Sequence, residues 1–266
     1  PSVWAWRPKR AKRMAAFVDH VLALLPFEPP YMQAEGIDCD FVGHPIVSTE
    51  MVTPKEIQSF RDAYAIDDSE MVLAVLPGSR KSELKRLLPI FGDVLADPKF
   101  RNRTLLFPTL PHLVAEISDF ADALPHRCIV IAGKGKDAAA DSRQRFVSYH
   151  IANAALAASG TVSLELAAAQ TPMVIAYDMS WLSRTLISRM LLTDTVTLVN
   201  LVTETRDIPE FIGANCRADD IIPALHNLFK APNCQLSVMD EAMHRLGYGG
   251  PPPGVRAAKA ILDRLG

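Results

Sequence analysis

Two short stretches carry the residue types that hold a phosphorylated ligand. The first, "LPGSRKSEL" (76–84), sets Gly78, Ser79 and Arg80 directly after an apolar run. Glycine lets backbone approach a ligand closely. A guanidinium at the mouth of such a turn can clamp a diphosphate through paired N–H donors. A surface arginine after a Gly/Ser turn is equally common in any β-to-α loop. The second, "AASGTVSLEL" (157–166), sets Ser159, Gly160 and Thr161 ahead of an apolar helical pattern that contains one carboxylate, Glu165. A hydroxyl at a helix start is an ordinary N-cap. A capping box, however, needs Glu or Gln three residues after the cap. Val162, Leu164 and Leu166 stand at those positions after Ser159, Thr161 and Ser163. Glu165 falls four residues after Thr161, on the same helical face and about 6 Å further along the axis. A carboxylate placed there suits the two hydroxyls of a ribose while loop N–H groups hold phosphates. The plainer account is a first-turn acid favoured by the helix dipole.

Both stretches lie where apolar runs give way to helical patterns. The runs "MVLAVLPGSR", "RTLLFPTLP", "RCIVIAG", "ANAALAASG" and "TPMVIAYD" are continuously apolar, as buried parallel strands are. Between them, "KSELKRLLPIFGDVL", "HLVAEISDFADAL" and "VSLELAAA" read as helices. This alternation predicts an α/β fold with a doubly wound parallel sheet and helices on both faces. Such sheets bind ligands outside the carboxyl ends of their strands, which is where both stretches fall. An earlier unit, "VDHVLALLP", "PPYMQAEG" and "CDFVGHP", precedes the punctuated segment "GHPIVSTEMVTP" (43–54). That segment is the expected boundary, dividing 1–47 from 48–266. The tail "GYGGPPPGVRAAKAILDRLG" reads as a Gly/Pro turn followed by a terminal helix.

Composition narrows the classes. The 266 residues are 49% hydrophobic and 22% charged with a net charge of −2, an ordinary globular balance that gives no reason to expect nucleic acid as a partner. Cys39, Cys128, Cys216 and Cys234 are widely spaced and have no clustered histidines, so neither zinc nor a disulfide framework is suggested. The best membrane candidate, "MAAFVDHVLALL", is broken by Asp19-His20 and falls short of the roughly 18–20 apolar residues a span requires. The chain opens at Pro1 with the strand-like "SVWAW", which reads as the C-terminal part of a longer protein. "WRPKRAKRM" places Arg7, Lys9, Arg10, Lys12 and Arg13 beside Trp4 and Trp6. This is either a solvated helix face or a contact with anionic lipid headgroups or a phosphorylated acceptor. "TLVNLVTETRDIPEF" (197–211) sets Asn200, Arg206 and Glu210 around a strand and a loop, within reach of a nucleotide or simply as polar loop residues. His44 in "VGHP" is a cleft candidate at the boundary between the two units.

In order along the chain, "PSVWAWRPKRAKRM", "VDHVLALLPFEPPYM", "FVGHPIV", "LPGSRKSEL", "AALAASGTVSLELAAAQTPMVIAY", "VNLVTETRDIPEF" and "RAAKAILDRLG" resemble the bacterial lipid-A-disaccharide synthases. These are glycosyltransferases of family 19 with the two-lobed GT-B architecture. The resemblance implies a Rossmann-like C-terminal donor lobe preceded by a remnant of the acceptor lobe. It implies transfer of 2,3-diacylglucosamine from its UDP derivative to 2,3-diacylglucosamine 1-phosphate, with inversion and with neither a metal nor another cofactor in the site. It further implies a cytoplasmic enzyme peripheral to the inner membrane and an intertwined homodimer. Carried over by position, Gly78, Ser79 and Arg80 flank the diphosphate, and Ser159, Gly160 and Thr161 supply loop donors. Glu165 takes the ribose, Asn200 and Arg206 add polar contacts, and Trp4, Trp6, Arg7, Lys9 and Arg10 face the lipid acceptor. The catalytic base belongs to the acceptor lobe and has no counterpart among these residues. Two departures stand out: "AYD" (176–178) where many relatives carry "AYR", and "TETR" (203–206) where they carry "AGR". Asp178 reverses the charge expected near the cleft, whereas Arg206 is retained. Two rival readings are another UDP-sugar epimerase or transferase of the same architecture, and a non-catalytic module with a vestigial nucleotide site.

Overall fold

The apolar runs form one parallel sheet. A computed structural model describes residues 9–133, 135, 137–178 and 194–265. The six strands are β3 (Val72–Leu76), β4 (Thr104–Thr109), β5 (Arg127–Ala132), β6 (Ala154–Ala158), β7 (Met173–Tyr177) and β8 (Glu210–Ile212). Their order is β5-β4-β3-β6-β7-β8, every neighbouring pair parallel. Every residue of β3, β4 and β6 is buried, because helices cover both faces of the sheet.

Alternate residues of β3 sort into two cores. Leu73 and Val75 pack with α4 (Lys81–Leu95), α5 (Val114–Asp122) and α9 (Ala218–Lys230). Val72 and Ala74 belong to the opposite core, with α6 (Ala138–Ile151), α7 (Val162–Ala168), α8 (Leu198–Thr203) and α10 (Leu236–Arg245). From β3 the chain winds outward through α4 to β4 and α5 to β5, then returns through α6 to β6 beside β3 and winds the other way. The direction reverses between β3 and β6, where Leu76 aligns with Ala157. That reversal opens a crevice beyond the carboxyl ends of the two central strands.

A smaller parallel pair, β1 (His20–Ala23) and β2 (Asp38–Phe41), is bridged by α2 (Pro29–Gln33) around Ala23, Met32, Ile37 and Cys39. The terminal helix α11 (Pro253–Leu265) folds back on it. Arg256 donates to the Phe41 carbonyl at 2.8 Å, and Arg264 pairs with Asp40 at 2.7 Å. The connecting segment holds a 3-10 turn at Pro45–Ser48 and then α3 (Pro54–Tyr64), started by a capping box between Thr53 and Glu56. Among the described residues no helix is long and apolar enough to cross a membrane.

Two sequence expectations change here. The stretch 197–211, read as a strand and a loop, begins with the six-residue helix α8 and reaches a strand only at Glu210, where β8 starts; a short apolar run does not distinguish helix from strand by periodicity. Residues 138–151, without a predicted element, form α6. Its buried residues Phe146, Val147, Ser148 and Tyr149 are consecutive, so the helical period is obscured.

Candidate functional site

The first turn is filled by its own helix. β3 stops at Leu76, and Gly78 adopts φ +125°, a conformation that glycine tolerates and other residues rarely do. A Cβ at Gly78 would stand 2.7 Å from the Cβ of Glu83. Glu83, in the first turn of α4, reaches back across the glycine. Its Oε2 accepts from the Ser79 N–H at 2.8 Å and its Oε1 from Arg80 Nη1 at 2.8 Å. Arg80, the residue that precedes α4, is exposed. Arg80 is therefore both anchored at one end and open to solvent.

The second turn leaves its helix start uncapped by side chains. Ser159 donates its hydroxyl to the Val196 carbonyl at 3.2 Å, and Ser163 donates to the Gly160 carbonyl at 3.0 Å. Thr161, the residue before α7, makes no side-chain cap. The Ser163 and Leu164 N–H groups turn back to the Gly160 and Thr161 carbonyls at 3.3 and 2.9 Å, which leaves the N–H groups of the preceding Ser159–Val162 segment as the donors of this turn.

The two turns face each other across one cavity of about 460 Å³. Gly78, Ser79 and Arg80 line one wall and Ser159, Gly160, Thr161 and Glu165 the other. Seven residues singled out from two distant stretches therefore meet at the reversal point of the sheet. Glu83, the end of β4 at Pro108 and Thr109, and two residues of α6, Arg145 and Tyr149, also line the cavity. Nothing in the sequence marks that α6 pair, because the consecutive buried residues of α6 hide its helical period.

Glu165 is the half-buried acid of the α7 wall. Burial pushes its pKa up, while the Arg145 charge and a hydrogen bond from the Tyr149 hydroxyl pull it back down. Burial and the neighbouring Glu165 charge push the Tyr149 phenol well above its ordinary value, so it acts only as a neutral hydroxyl. A second cavity, also of about 460 Å³, opens behind the first and shares Arg145 and Glu165 with it. Its far wall is Ile46, Thr49 and Glu50 of the connecting segment.

Other candidates lie elsewhere. Asn200 is fully buried on α8. Its Oδ1 accepts from the Ile208 N–H at 3.0 Å and its Nδ2 donates to the Ile208 carbonyl at 2.9 Å, so its amide is committed to backbone. Glu210 accepts from the N–H groups of Val196 and Thr197 and from the Thr197 hydroxyl, holding the loop on which Ser159 leans. Arg206 pairs with Asp194. None of the three lines either cavity. His44 caps the 3-10 turn by accepting from the Ile46 N–H at 3.2 Å, and burial lowers its pKa. It too is off the cavity walls. Arg10 is exposed on α1 (Lys9–Met14), which begins at Lys9; Trp4, Trp6 and Arg7 lie outside the described residues. Among the described residues there is no cluster of three or more metal-ligating side chains.

Residues 1–245 match the family described as lipid-A-disaccharide synthetase. The chain belongs to that family. It is 46% identical over its whole length to the lipid-A-disaccharide synthase of Ruegeria pomeroyi, of which it covers 66%. It is 39% identical to that of Rhodospirillum centenum over 99% of the chain and 65% of the relative. The chain thus spans slightly less than two thirds of these family members. Its fold is shared with solved GT-B structures at low identity. Anabaena Alr3699/HepE in complex with UDP and glucose gives a TM-score of 0.56 at 11% identity, over 96% of this chain and 66% of that one. UDP-GlcNAc 2-epimerase from Neisseria meningitidis bound to UDP-GlcNAc gives 0.56 at 14%, over 94% and 62%. The architecture is GT-B, as the family resemblance implied, and its parallel sheet is the one the apolar runs predicted.

Proposed function

We propose that this chain is the donor-binding part of a glycosyltransferase of lipid A synthesis, and that the cavity between β3 and β6 takes the uridine diphosphate of the donor. One observation carries the reading: Gly78, Ser79, Arg80, Ser159, Gly160, Thr161 and Glu165 converge on a single cavity at the sheet's reversal point. Arg80 and the N–H groups of the Ser159–Thr161 turn suit a diphosphate, and Glu165 suits the ribose hydroxyls. Family membership supports 2,3-diacylglucosamine as the transferred sugar and 2,3-diacylglucosamine 1-phosphate as acceptor.

In that reaction the acceptor 6-hydroxyl oxygen attacks the anomeric carbon from the face opposite UDP. The bond from that carbon to the β-phosphate oxygen breaks, its electron pair leaves with UDP, and the hydroxyl proton passes to a base. Arg80 and the turn N–H groups act by neutralising charge as it develops on the leaving diphosphate, which is electrostatic stabilisation rather than covalent catalysis. The base is assigned to the part of the relatives that this chain does not match, and residues 1–47 to the remainder of that acceptor lobe. Asn200 and Glu210 serve as scaffold for the Ser159 turn.

The reading extends to peripheral contact with the cytoplasmic face of the inner membrane. Exposed Arg10, Lys12 and Arg13 on α1, beside exposed Phe17, support it. The intertwined homodimer implied by the resemblance would use the C-terminal region, where Val255, Ile261, Leu262 and Leu265 of α11 are exposed. The division of labour is tested by turnover. The purified chain is expected to release no UDP from UDP-2,3-diacylglucosamine and acceptor; release by this chain alone would move the base into these residues and overturn the division.

A further inference from the structure

We infer that Tyr149 and Arg145 are positioning residues for Glu165, fixing its carboxylate at the cavity wall so that it accepts two neighbouring ribose hydroxyls. The inference rests on the nucleotide reading above. Tyr149 and Arg145 lie one turn apart on α6 and so share a face. Both line the first cavity, and Arg145 and Glu165 also line the second. Glu165 is the only charged residue of α7 and stands in the wall between the two spaces.

Tyr149 is a rigid arm. Its residue is only 4% exposed, and its carbonyl accepts from the Thr171 hydroxyl at 2.7 Å. The next residue, His150, holds the Ala169 carbonyl through Nδ1 at 3.1 Å, so α6 is pinned to the far end of α7. From that base the Tyr149 side chain shares the cavity wall with Glu165, and Arg145, itself tied to the Ser142 hydroxyl at 3.0 Å, lines the same wall; the phenol and the guanidinium are the groups that lower the acid's pKa. The packing needs only the ring, which a phenylalanine would supply. The hydroxyl is the part that acts on the acid.

An ionised carboxylate accepts at both oxygens, whereas a protonated one loses part of that capacity. Burial works against the ionised form of Glu165, and the Tyr149 donor and Arg145 charge work for it. The other charged groups around it are Arg80 and Glu83 across the first cavity, and Glu50 and Arg143 across the second. A binding step that uses the carboxylate fades as pH falls through the Glu165 pKa. Removing the Tyr149 hydroxyl raises that pKa further, so the acid limb of binding moves to higher pH. The nucleotide's own phosphate titration is common to parent and variant and cancels in the comparison.

The test is calorimetric titration of the chain with UDP and with 2′-deoxyUDP, from about pH 5 to pH 8. Tyr149→Phe is expected to lose about tenfold in UDP affinity, far less for 2′-deoxyUDP, and to shift the acid limb upward. In a Glu165→Gln background the same change is expected to add nothing. If Tyr149→Phe fails to fold, Arg145→Gln carries the same prediction from a half-buried site. A Tyr149→Phe protein that keeps the parent's preference for UDP over 2′-deoxyUDP, with an unmoved pH profile, overturns the inference alone. A parent chain that does not bind UDP overturns the nucleotide reading together with it.

Discussion

Glu83 holds Arg80 in the mouth of the first turn, with Oε1 and Nη1 2.8 Å apart. The carboxylate sits where an incoming diphosphate would bring its own negative charge. Both oxygens of Glu83 are engaged, one by Arg80 and one by the Ser79 N–H. A ligand phosphate offers those donors the same chemistry and competes with Glu83 for them. Glu83→Gln keeps an acceptor for Ser79 and removes the charge. At a solvent-facing site that charge is worth about 1 kcal/mol, so UDP is expected to bind about fivefold more tightly. Weaker binding in isothermal titration would show that Glu83 supports the ligand rather than competing with it.

Gly78→Ala places a Cβ at φ +125° and 2.7 Å from the Cβ of Glu83, an atom close to the α4 backbone that cannot swing away. The expected cost is about 1–3 kcal/mol, read as a lower midpoint in thermal unfolding, together with a loss of UDP affinity because the turn must move. An unchanged midpoint with unchanged affinity would mean that the turn adapts freely.

Arg143 ties the connecting segment to α6. It donates to both oxygens of Glu56, to the Glu50 carbonyl at 2.6 Å and to the Met51 carbonyl at 2.9 Å. The Arg143 hydrogen bond, with those from Thr53, lowers the Glu56 pKa to about 2. A depressed carboxylate stabilises the fold above its unfolded value of 4.5 and loses that contribution as pH falls toward 2. Arg143→Ala is therefore expected to lower the unfolding midpoint by several degrees at neutral pH. The gap to the parent should narrow steadily in acid. A gap that stays constant down to the lowest pH measured would detach it from the Glu56 pair.

Asn200→Ala strips both bonds from the Ile208 peptide inside the core. We expect a stability loss of about 2–3 kcal/mol, with UDP affinity of the folded protein within about twofold of the parent. A stable variant with affinity reduced tenfold would return Asn200 to the ligand.

Much of the architecture was legible because its signals are local. β3 and β6 show as unbroken apolar runs ending at Leu76 and Ala158, and Gly78 and Gly160 mark the turns that follow. The α4 boundaries, Lys81–Leu95, are those of the sequence pattern. The site's acid could be picked out because it had no capping role. What remained hidden depends on packing between distant segments. Glu83 reads as an ordinary first-turn acid until its reach across Gly78 is seen. Tyr149 and Arg145 meet Glu165 only through the contact of α6 with α7, and the consecutive buried residues of α6 conceal the helix itself. Asn200 was expected near the ligand because burial, which commits its amide to Ile208, is not written in a polar residue's identity.

The crevice between β3 and β6 is the proposed uridine diphosphate site, served from both walls. Calorimetric titration of UDP into the parent chain, Arg80→Ala and Glu165→Gln at neutral pH tests this most directly. The expected result is binding by the parent and a loss of about tenfold or more in each variant, as removal of a charged hydrogen-bonding partner implies. Affinity that is unchanged in both variants would contradict it.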